Sequence, residues 1–107
     1  MKGNKMKITV IHKAFEDEAK KVALVNVPTE ITDMDQALEY AYRWTNNVMG
    51  SWSRDDIENN GDFNPDVERL APLHEGGYGL RSTSMGDEML VNGKTFEVAI
   101  CGFEEVV

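Results

Sequence analysis

Runs of alternating apolar and polar residues near both ends of the chain predict β-strands. Met6 to His12 and Lys21 to Val27 are rich in β-branched residues and predict two strands, the second ending before a proline. Residues 88–91 and 95–100 alternate on either side of Asn92-Gly93, a dipeptide that tolerates positive φ and suits a type I′ turn. We therefore expect a tight hairpin in the last quarter of the chain.

The segment after the second strand predicts an amphipathic helix, because its apolar residues recur at intervals of three and four. Thr32 or Asp33 can cap the N-terminus, and Gln36 follows Asp33 by three residues, as in a capping box. Gly50 is expected to end the helix, after about Met49. The residues of the apolar stripe are Met34, Ala37, Leu38, Ala41, Trp44, Thr45 and Val48.

Residues 51–79 lack a regular pattern and contain two prolines and four glycines, so we expect a long irregular segment with one short strand near Val67 to Leu70. Gly102-Phe103 predicts a bulge or bend before an acidic tail. Together the elements predict an α+β fold, in which one long helix packs across one face of a small antiparallel sheet of four to five strands.

The chain has 107 residues, 41% of them hydrophobic, which predicts one globular domain spanning residues 1–107. It lacks the ~18 consecutive apolar residues of a membrane helix, so we expect no membrane insertion. The apolar run from Ile8 to Ile11 is too short for the core of a secretory signal. Cys101, the single cysteine, lies in an apolar run that favours a buried free thiol. These features predict a protein of the reducing cytoplasm.

The negative charge is concentrated in the second half of the chain. Residues 1–50 carry seven basic and seven acidic residues, whereas residues 51–107 carry four basic and twelve acidic ones. Such a field repels phosphate and argues against direct nucleic-acid binding. An acidic surface either keeps the protein soluble or attracts basic surfaces on other proteins, and both interpretations stay open.

A polar loop, Arg81 to Asp87, lies at the base of the predicted hairpin and is the main candidate binding site. Arg81 offers a planar fork, and the hydroxyls of Ser82, Thr83 and Ser84 with nearby amides would complete an anion-binding nest. The favoured interpretation is instead a tight turn, in which the hydroxyls satisfy backbone groups while Asp87 pairs with Arg81.

Part of the irregular segment has oxygen ligands spaced as in a calcium-binding loop, at Asp56, Glu58, Asn60 and Asp62, with glycine in the sixth position. The twelfth position is Val67 instead of a bidentate glutamate, and a proline disfavours the exit helix. An acidic turn is therefore the favoured interpretation. We predict no cofactor and no metal.

Other candidates lie in or next to the irregular segment. Trp52, between two serines, is either an exposed anchor for a partner or a packing residue that ties the irregular segment to the helix. Tyr78 is a second candidate binding residue. His74 with Ser82 or Ser84 would supply residue types of a hydrolase triad, but no Gly-x-Ser-x-Gly elbow is present. We therefore do not predict an enzyme.

The segment Arg81-Ser-Thr-Ser-Met-Gly-Asp87, followed by a hairpin and Gly102-Phe103, resembles short proteins encoded by phages and other mobile elements. It is similar, more loosely, to the YodL-like domain of polyvalent proteins from such elements. Residues 37–46 and 50–53 also resemble the phage proteins. The resemblance implies a mobile-element origin, a location in the bacterial host cytoplasm and a role in countering host defence, and it implies no catalytic residues.

Two functional hypotheses follow. The first is a small acidic accessory protein that binds a host protein without catalysis, through its acidic half, with Trp52, Arg81 and Asp87 near the contact surface. The second is a module that sequesters a small anionic ligand or nucleotide at the polar loop. Sheet edges and exposed aromatic residues also allow a homodimer.

Overall fold

The computed structural model describes residues 6–107. It contains one sheet, one α-helix and a single turn of 3-10 helix at Glu75–Gly77. The predicted α+β class with an antiparallel sheet is confirmed. The strands and the helix, in chain order, are β1 Lys7–His12, β2 Lys20–Asn26, α1 Met34–Trp44, β3 Val67–Arg69, β4 Glu88–Val91, β5 Lys94–Val98 and β6 Phe103–Val106.

The sheet has six strands in the order β3-β2-β1-β4-β5-β6, and not the four to five predicted. The additional strand is β6, in the segment where a bend and an acidic tail were expected. Gly102 has a φ of 77° and its carbonyl accepts a hydrogen bond from the Ala99 amide, so the chain reverses direction there. Phe103 then pairs with Val98, and β6 becomes an edge strand.

The hairpin between β4 and β5 forms as predicted. Asn92 and Gly93 have φ values of 52° and 77°, the positive pair that a type I′ turn requires. At the base of the hairpin, the amide of Val98 donates to the carbonyl of Asp87, and the amide of Gly86 donates to the carbonyl of Val98. The polar loop is therefore continuous with the ladder of β4 and β5.

The inner face of the sheet packs against α1. Ile8 and Val10 of β1 are fully buried, and the register places Val25 and Met89 beside them on the same face. Alternate residues such as Thr9 point to the outer face and are partly exposed. The helix contributes Ala37, Leu38 and Ala41 to this core, which is completed by Val22, Ala23, Val27, Trp52, Leu80, Val91 and Val98.

The helix is shorter than predicted, with eleven residues that end at Trp44. Its N-cap is Asp33, whose carboxylate accepts a hydrogen bond from the Gln36 amide, as the sequence indicates. The prediction that it continues to Met49 is wrong. The Thr45 hydroxyl donates to the carbonyl of Ala41, and the side-chain amide of Asn46 donates to the carbonyl of Tyr42. These side-chain hydrogen bonds replace the backbone hydrogen bonds that would continue the helix.

The predicted short strand in the irregular segment is confirmed as β3. The end of β5 was predicted two residues too late, because Ile100 lies in the turn before β6 and is 87% exposed. Cys101 was predicted to be buried and is exposed in the same turn. Within residues 6–107, no helix combines the length and the hydropathy that crossing a membrane requires.

Candidate functional site

Asp87 is a fully buried carboxylate where the polar loop meets the turn after β1. Its Oδ1 accepts hydrogen bonds from the amides of Lys13 at 2.7 Å and Ala14 at 2.9 Å, and its Oδ2 accepts from the amide of Ser84 at 2.8 Å. Arg81 adds two guanidinium donors at 2.7 and 2.9 Å. This carboxylate therefore joins the polar loop to the β1–β2 connection.

The guanidinium of Arg81 is partly buried, and all three of its nitrogens contact acceptors within the chain. Besides its two bonds to Asp87, its Nε lies 3.2 Å from the Glu16 carboxylate, and its Nη1 donates to the carbonyl of Ser82. The ring of Phe15 lies 5.1 Å from the guanidinium carbon. An anion could reach this fork only by displacing Asp87, so the geometry favours the tight-turn interpretation over an anion-binding nest.

The three hydroxyls of the polar loop also bind groups of the chain itself. Ser82 Oγ accepts from the amide of Asn47 at 2.8 Å, which ties the loop to the residues after α1. Thr83 is buried and its hydroxyl donates to Thr45 Oγ1 at 2.8 Å. Ser84 Oγ lies 3.5 Å from the carbonyl of Ser82, a long contact. The hydroxyls therefore do not converge on a common point.

Electrostatics reinforce the ion pair at the base of the hairpin. Burial on its own would raise the pKa of Asp87, but the Arg81 guanidinium and the amides of Ala14, Lys13 and Ser84 outweigh it and lower that pKa to about 2. The pKa of Arg81 is raised, chiefly by its hydrogen bonds to Asp87. Both groups are therefore charged at neutral pH.

A buried series of hydrogen bonds runs from His12 to the helix, and no pattern in the sequence predicts it. His12 Nε2 lies 3.0 Å from Thr83 Oγ1, Thr83 donates to Thr45 Oγ1, and Thr45 donates to the carbonyl of Ala41 at 2.7 Å. Burial and the nearby Arg81 guanidinium lower the pKa of His12 to about 4, so the imidazole is neutral at pH 7.

Trp52 is a packing residue in this structure and not the exposed anchor that was one of its two interpretations. It is 3% exposed, its indole Nε1 donates to the carbonyl of Arg81 at 2.8 Å, and its amide donates to Asn47 Oδ1. Its ring packs edge-on against that of His12, with the two ring centroids 6.3 Å apart. By contrast, Tyr78 is exposed and remains available to a partner.

The candidate calcium ligands point toward protein donors and not toward a shared centre. Asp62 is buried, its Oδ2 accepts from the amides of Val48 and Met49, and its Oδ1 lies 3.2 Å from Arg43 Nη1. Asn60 holds the backbone of the same segment with its side chain. Among residues 6–107, no group of three or more His, Cys, Asp or Glu residues is arranged to hold a metal ion.

The remaining two candidate ligands of that segment, Asp56 and Glu58, lie on its surface. Asp56 accepts two hydrogen bonds from the Arg54 guanidinium, both at 2.9 Å, and Glu58 is exposed. His74 is exposed and begins the 3-10 turn, while Ser82 accepts its hydrogen bond from Asn47, so the residue types of a hydrolase triad are not brought together.

An acidic groove lies at the edge of the sheet formed by β6, between the polar loop and that strand. Glu97 of β5 and Glu104 of β6 are direct cross-strand partners, and Glu88 of β4 is opposite Glu97 on its other side. The groove has a volume of about 430 Å³ and is lined by Met85, Gly86, Glu97, Val98, Ala99, Ile100, Cys101 and Glu104.

Glu88, Glu97 and Glu104 form a row of carboxylates across three strands, and their charges are unequally compensated. Lys13 Nζ lies 3.0 Å from Glu88, whereas neither Glu97 nor Glu104 has a salt-bridge partner among residues 6–107. The groove is not predicted from sequence, because β6 is not predicted and without β6 Glu104 has no strand partner. The available signal was weak, because residues 103–106 read Phe-Glu-Glu-Val and do not alternate, so only the β-propensity of Phe103 and Val106 favoured a strand.

Comparisons of this chain with models of protein families, with curated proteins and with solved structures found no match.

Proposed function

We propose that this chain acts without catalysis, by binding a protein that presents a basic and partly apolar surface to the acidic groove. The observation that carries the proposal is the direct cross-strand pairing of Glu97 with Glu104, with no basic side chain against either among residues 6–107. Like charges directly opposite one another on neighbouring strands destabilise a sheet. A lysine or arginine from a partner would relieve this repulsion.

The groove also offers apolar contact area beside the carboxylates. Ile100 is 87% exposed and Met85 is 57% exposed, and both line the groove with Glu97 and Glu104. An isolated exposed apolar side chain is ordinary on a protein surface, but two beside an uncompensated acidic pair form a mixed surface of the kind that interfaces use. Methionine adapts its shape to a partner easily.

The proposed contact surface differs from the one expected from sequence. Asp62 is buried against Arg43, and Asp56 is paired with Arg54, so two of the acids in the irregular segment are already compensated. Trp52 and Asp87 are buried, and Arg81 is engaged with Asp87. The resemblance to phage proteins adds the expectation that the partner is a protein of a bacterial host and that binding counters host defence.

The experiment is affinity capture from a bacterial host lysate at low and moderate salt, with the tagged full chain as bait. Glu97→Gln/Glu104→Gln removes two charges from the groove. Asp55→Asn/Glu58→Gln removes two charges from exposed positions of the irregular segment, near the opposite edge of the sheet, and is the matched comparison.

A host protein that is retained stoichiometrically by the wild type and by the comparison variant, and lost with the groove variant or with raised salt, supports the proposal. Loss with Asp55→Asn/Glu58→Gln alone would move the contact surface to the irregular segment and contradict the groove. Equal capture by all three proteins would contradict an electrostatic contact altogether.

A further inference from the structure

A second concave site, here called the cleft, lies beside His12, the last residue of β1. It has a volume of about 380 Å³, which is within the range of small-molecule sites. Its walls include five apolar side chains from β2, from the segment after β3 and from the start of the polar loop. These are Val22, Ala71, Pro72, Leu73 and Leu80.

His12 lines this cleft and is 3% exposed. The direction of the buried hydrogen bonds sets the position of its proton. The Thr45 hydroxyl donates to the Ala41 carbonyl and the Thr83 hydroxyl donates to Thr45, so Thr83 Oγ1 can only accept from His12. Nε2 of His12 is therefore the protonated nitrogen, and Nδ1 carries a lone pair.

No side chain or amide of residues 6–107 donates to Nδ1, although the ring as a whole is buried. Some polar side-chain atoms of residues 6–107 are fully enclosed and have no hydrogen-bond partner, and Nδ1 is not one of them. Nδ1 therefore keeps some exposed surface. A buried imidazole with an unused acceptor at the wall of an apolar cleft is therefore open to a donor from the cleft. Such an acceptor is worth most to a ligand where little water competes for it.

The charged groups around the cleft largely compensate one another. Glu16 lies 4.0 Å from Lys20 Nζ and 3.2 Å from Arg81 Nε, and Arg81 is itself paired with Asp87. His74 and Glu75 complete the rim. Of the charged rim residues, only Glu75, which is exposed, has no salt-bridge partner among residues 6–107. Because the walls are apolar and the other rim charges are paired, the cleft favours an uncharged ligand over an ionic one.

We propose that this cleft binds small, uncharged, largely apolar molecules that carry one N–H or O–H group, which donates to His12 Nδ1. The site is separate from the acidic groove and does not depend on the proposed function. Recognition combines burial of the apolar part of the ligand against the apolar walls with one directional hydrogen bond.

Indole and benzofuran test the proposal, because they have nearly the same shape and differ in the N–H donor. Each is titrated into the ¹⁵N-labelled full chain at pH 7, with amide spectra and long-range imidazole spectra recorded by NMR. We expect indole to shift the Nδ1 resonance of His12 and the amides of Leu73 and Leu80, and to bind at least about fivefold more tightly than benzofuran.

His12→Gln is the informative variant, since a glutamine amide retains a donor toward Thr83 but lacks the Nδ1 acceptor. We expect it to bind indole and benzofuran equally. Leu73→Trp adds bulk at a partly exposed wall of the cleft, so it should weaken the binding of both ligands in an otherwise unchanged fold. This variant tests the site even if His12→Gln does not fold.

Equal affinities of the wild type for the two ligands would overturn the hydrogen bond to His12. Shifts confined to residues away from the cleft, or no shifts at millimolar ligand, would overturn the site itself.

Discussion

Arg81 and Asp87 form a two-pronged ion pair across the polar loop, with nitrogen–oxygen distances of 2.7 and 2.9 Å. The same carboxylate accepts the amides of Lys13 and Ala14, which lie more than seventy residues earlier in the chain. The pair therefore acts as a structural link between the β1–β2 connection and the base of the hairpin, and the polar loop is held by contacts within the chain.

Removing the charge of Asp87 should destabilise the fold strongly. Asp87→Asn leaves a partly buried guanidinium and three backbone amides without their anionic acceptor, so we expect the free energy of unfolding to fall by about 2–4 kcal/mol. Urea denaturation at pH 7 measures the change. Glu18→Gln, an exposed carboxylate in the same connection, is the control and should change stability by less than ~0.5 kcal/mol. A similar result for both variants would contradict the structural role of Asp87.

Stability should decrease with acid in two successive pH ranges. The pKa of His12 is about 4 in the folded chain against an ordinary value of 6.5, so between these pH values the unfolded chain binds a proton that the folded chain excludes. This difference lowers stability as the pH falls, by at most about 3 kcal/mol in total. The pKa of Asp87 is about 2 against 3.8, which lowers stability further between those values.

Urea denaturation between pH 2 and pH 8 measures this profile, and His12→Gln separates its two parts. We expect the variant to lose much of the decrease between pH 6.5 and pH 4 and to retain the decrease below pH 4. A variant profile that matches the wild type over the whole range would show that His12 is not the group responsible.

Neutralising Glu97 should stabilise the isolated protein, although the proposed function requires the same change to weaken partner binding. Glu97→Gln removes repulsion from Glu88 on one side and Glu104 on the other, so we expect a gain of about 0.3–1 kcal/mol at low salt. The gain should shrink in 0.5 M salt because exposed charges are screened. Thermal unfolding at the two salt concentrations checks it, with Glu58→Gln as control. Destabilisation by Glu97→Gln would contradict an uncompensated carboxylate row.

Trp52 should contribute to stability through both its ring and its indole nitrogen. Trp52→Phe keeps most of the apolar area but leaves the carbonyl of Arg81 without its donor, and we expect a loss of about 1–2 kcal/mol. Trp52→Ala also opens a cavity in the core, and we expect a loss of about 3–5 kcal/mol. Urea denaturation ranks the two variants. Losses below ~0.5 kcal/mol for both would indicate an exposed Trp52, as in the alternative interpretation.

Local sequence signals identified the elements whose conformation depends on neighbouring residues. Asn92-Gly93 predicts its turn because both residues tolerate positive φ, and Asp33 predicts the helix start because its carboxylate reaches the Gln36 amide. The end of the helix was predicted incorrectly, since Thr45 and Asn46 replace helical bonds with side-chain bonds, and a hydrophobic period alone does not reveal that competition.

The sequence by itself determined the fold class, β1, β2, the β4–β5 hairpin and the side of the helix that faces the sheet, because these follow from periodicity, capping and turn chemistry. Only the tertiary structure decided that Asp87 accepts the amides of Lys13 and Ala14, that Trp52 is buried, that Glu97 faces Glu104, and that His12 contacts Thr83, 71 positions later in the chain. Burial and strand order decide these relationships, whether the residues are distant along the chain, like His12 and Thr83, or close, like Glu97 and Glu104, and local propensity specifies neither.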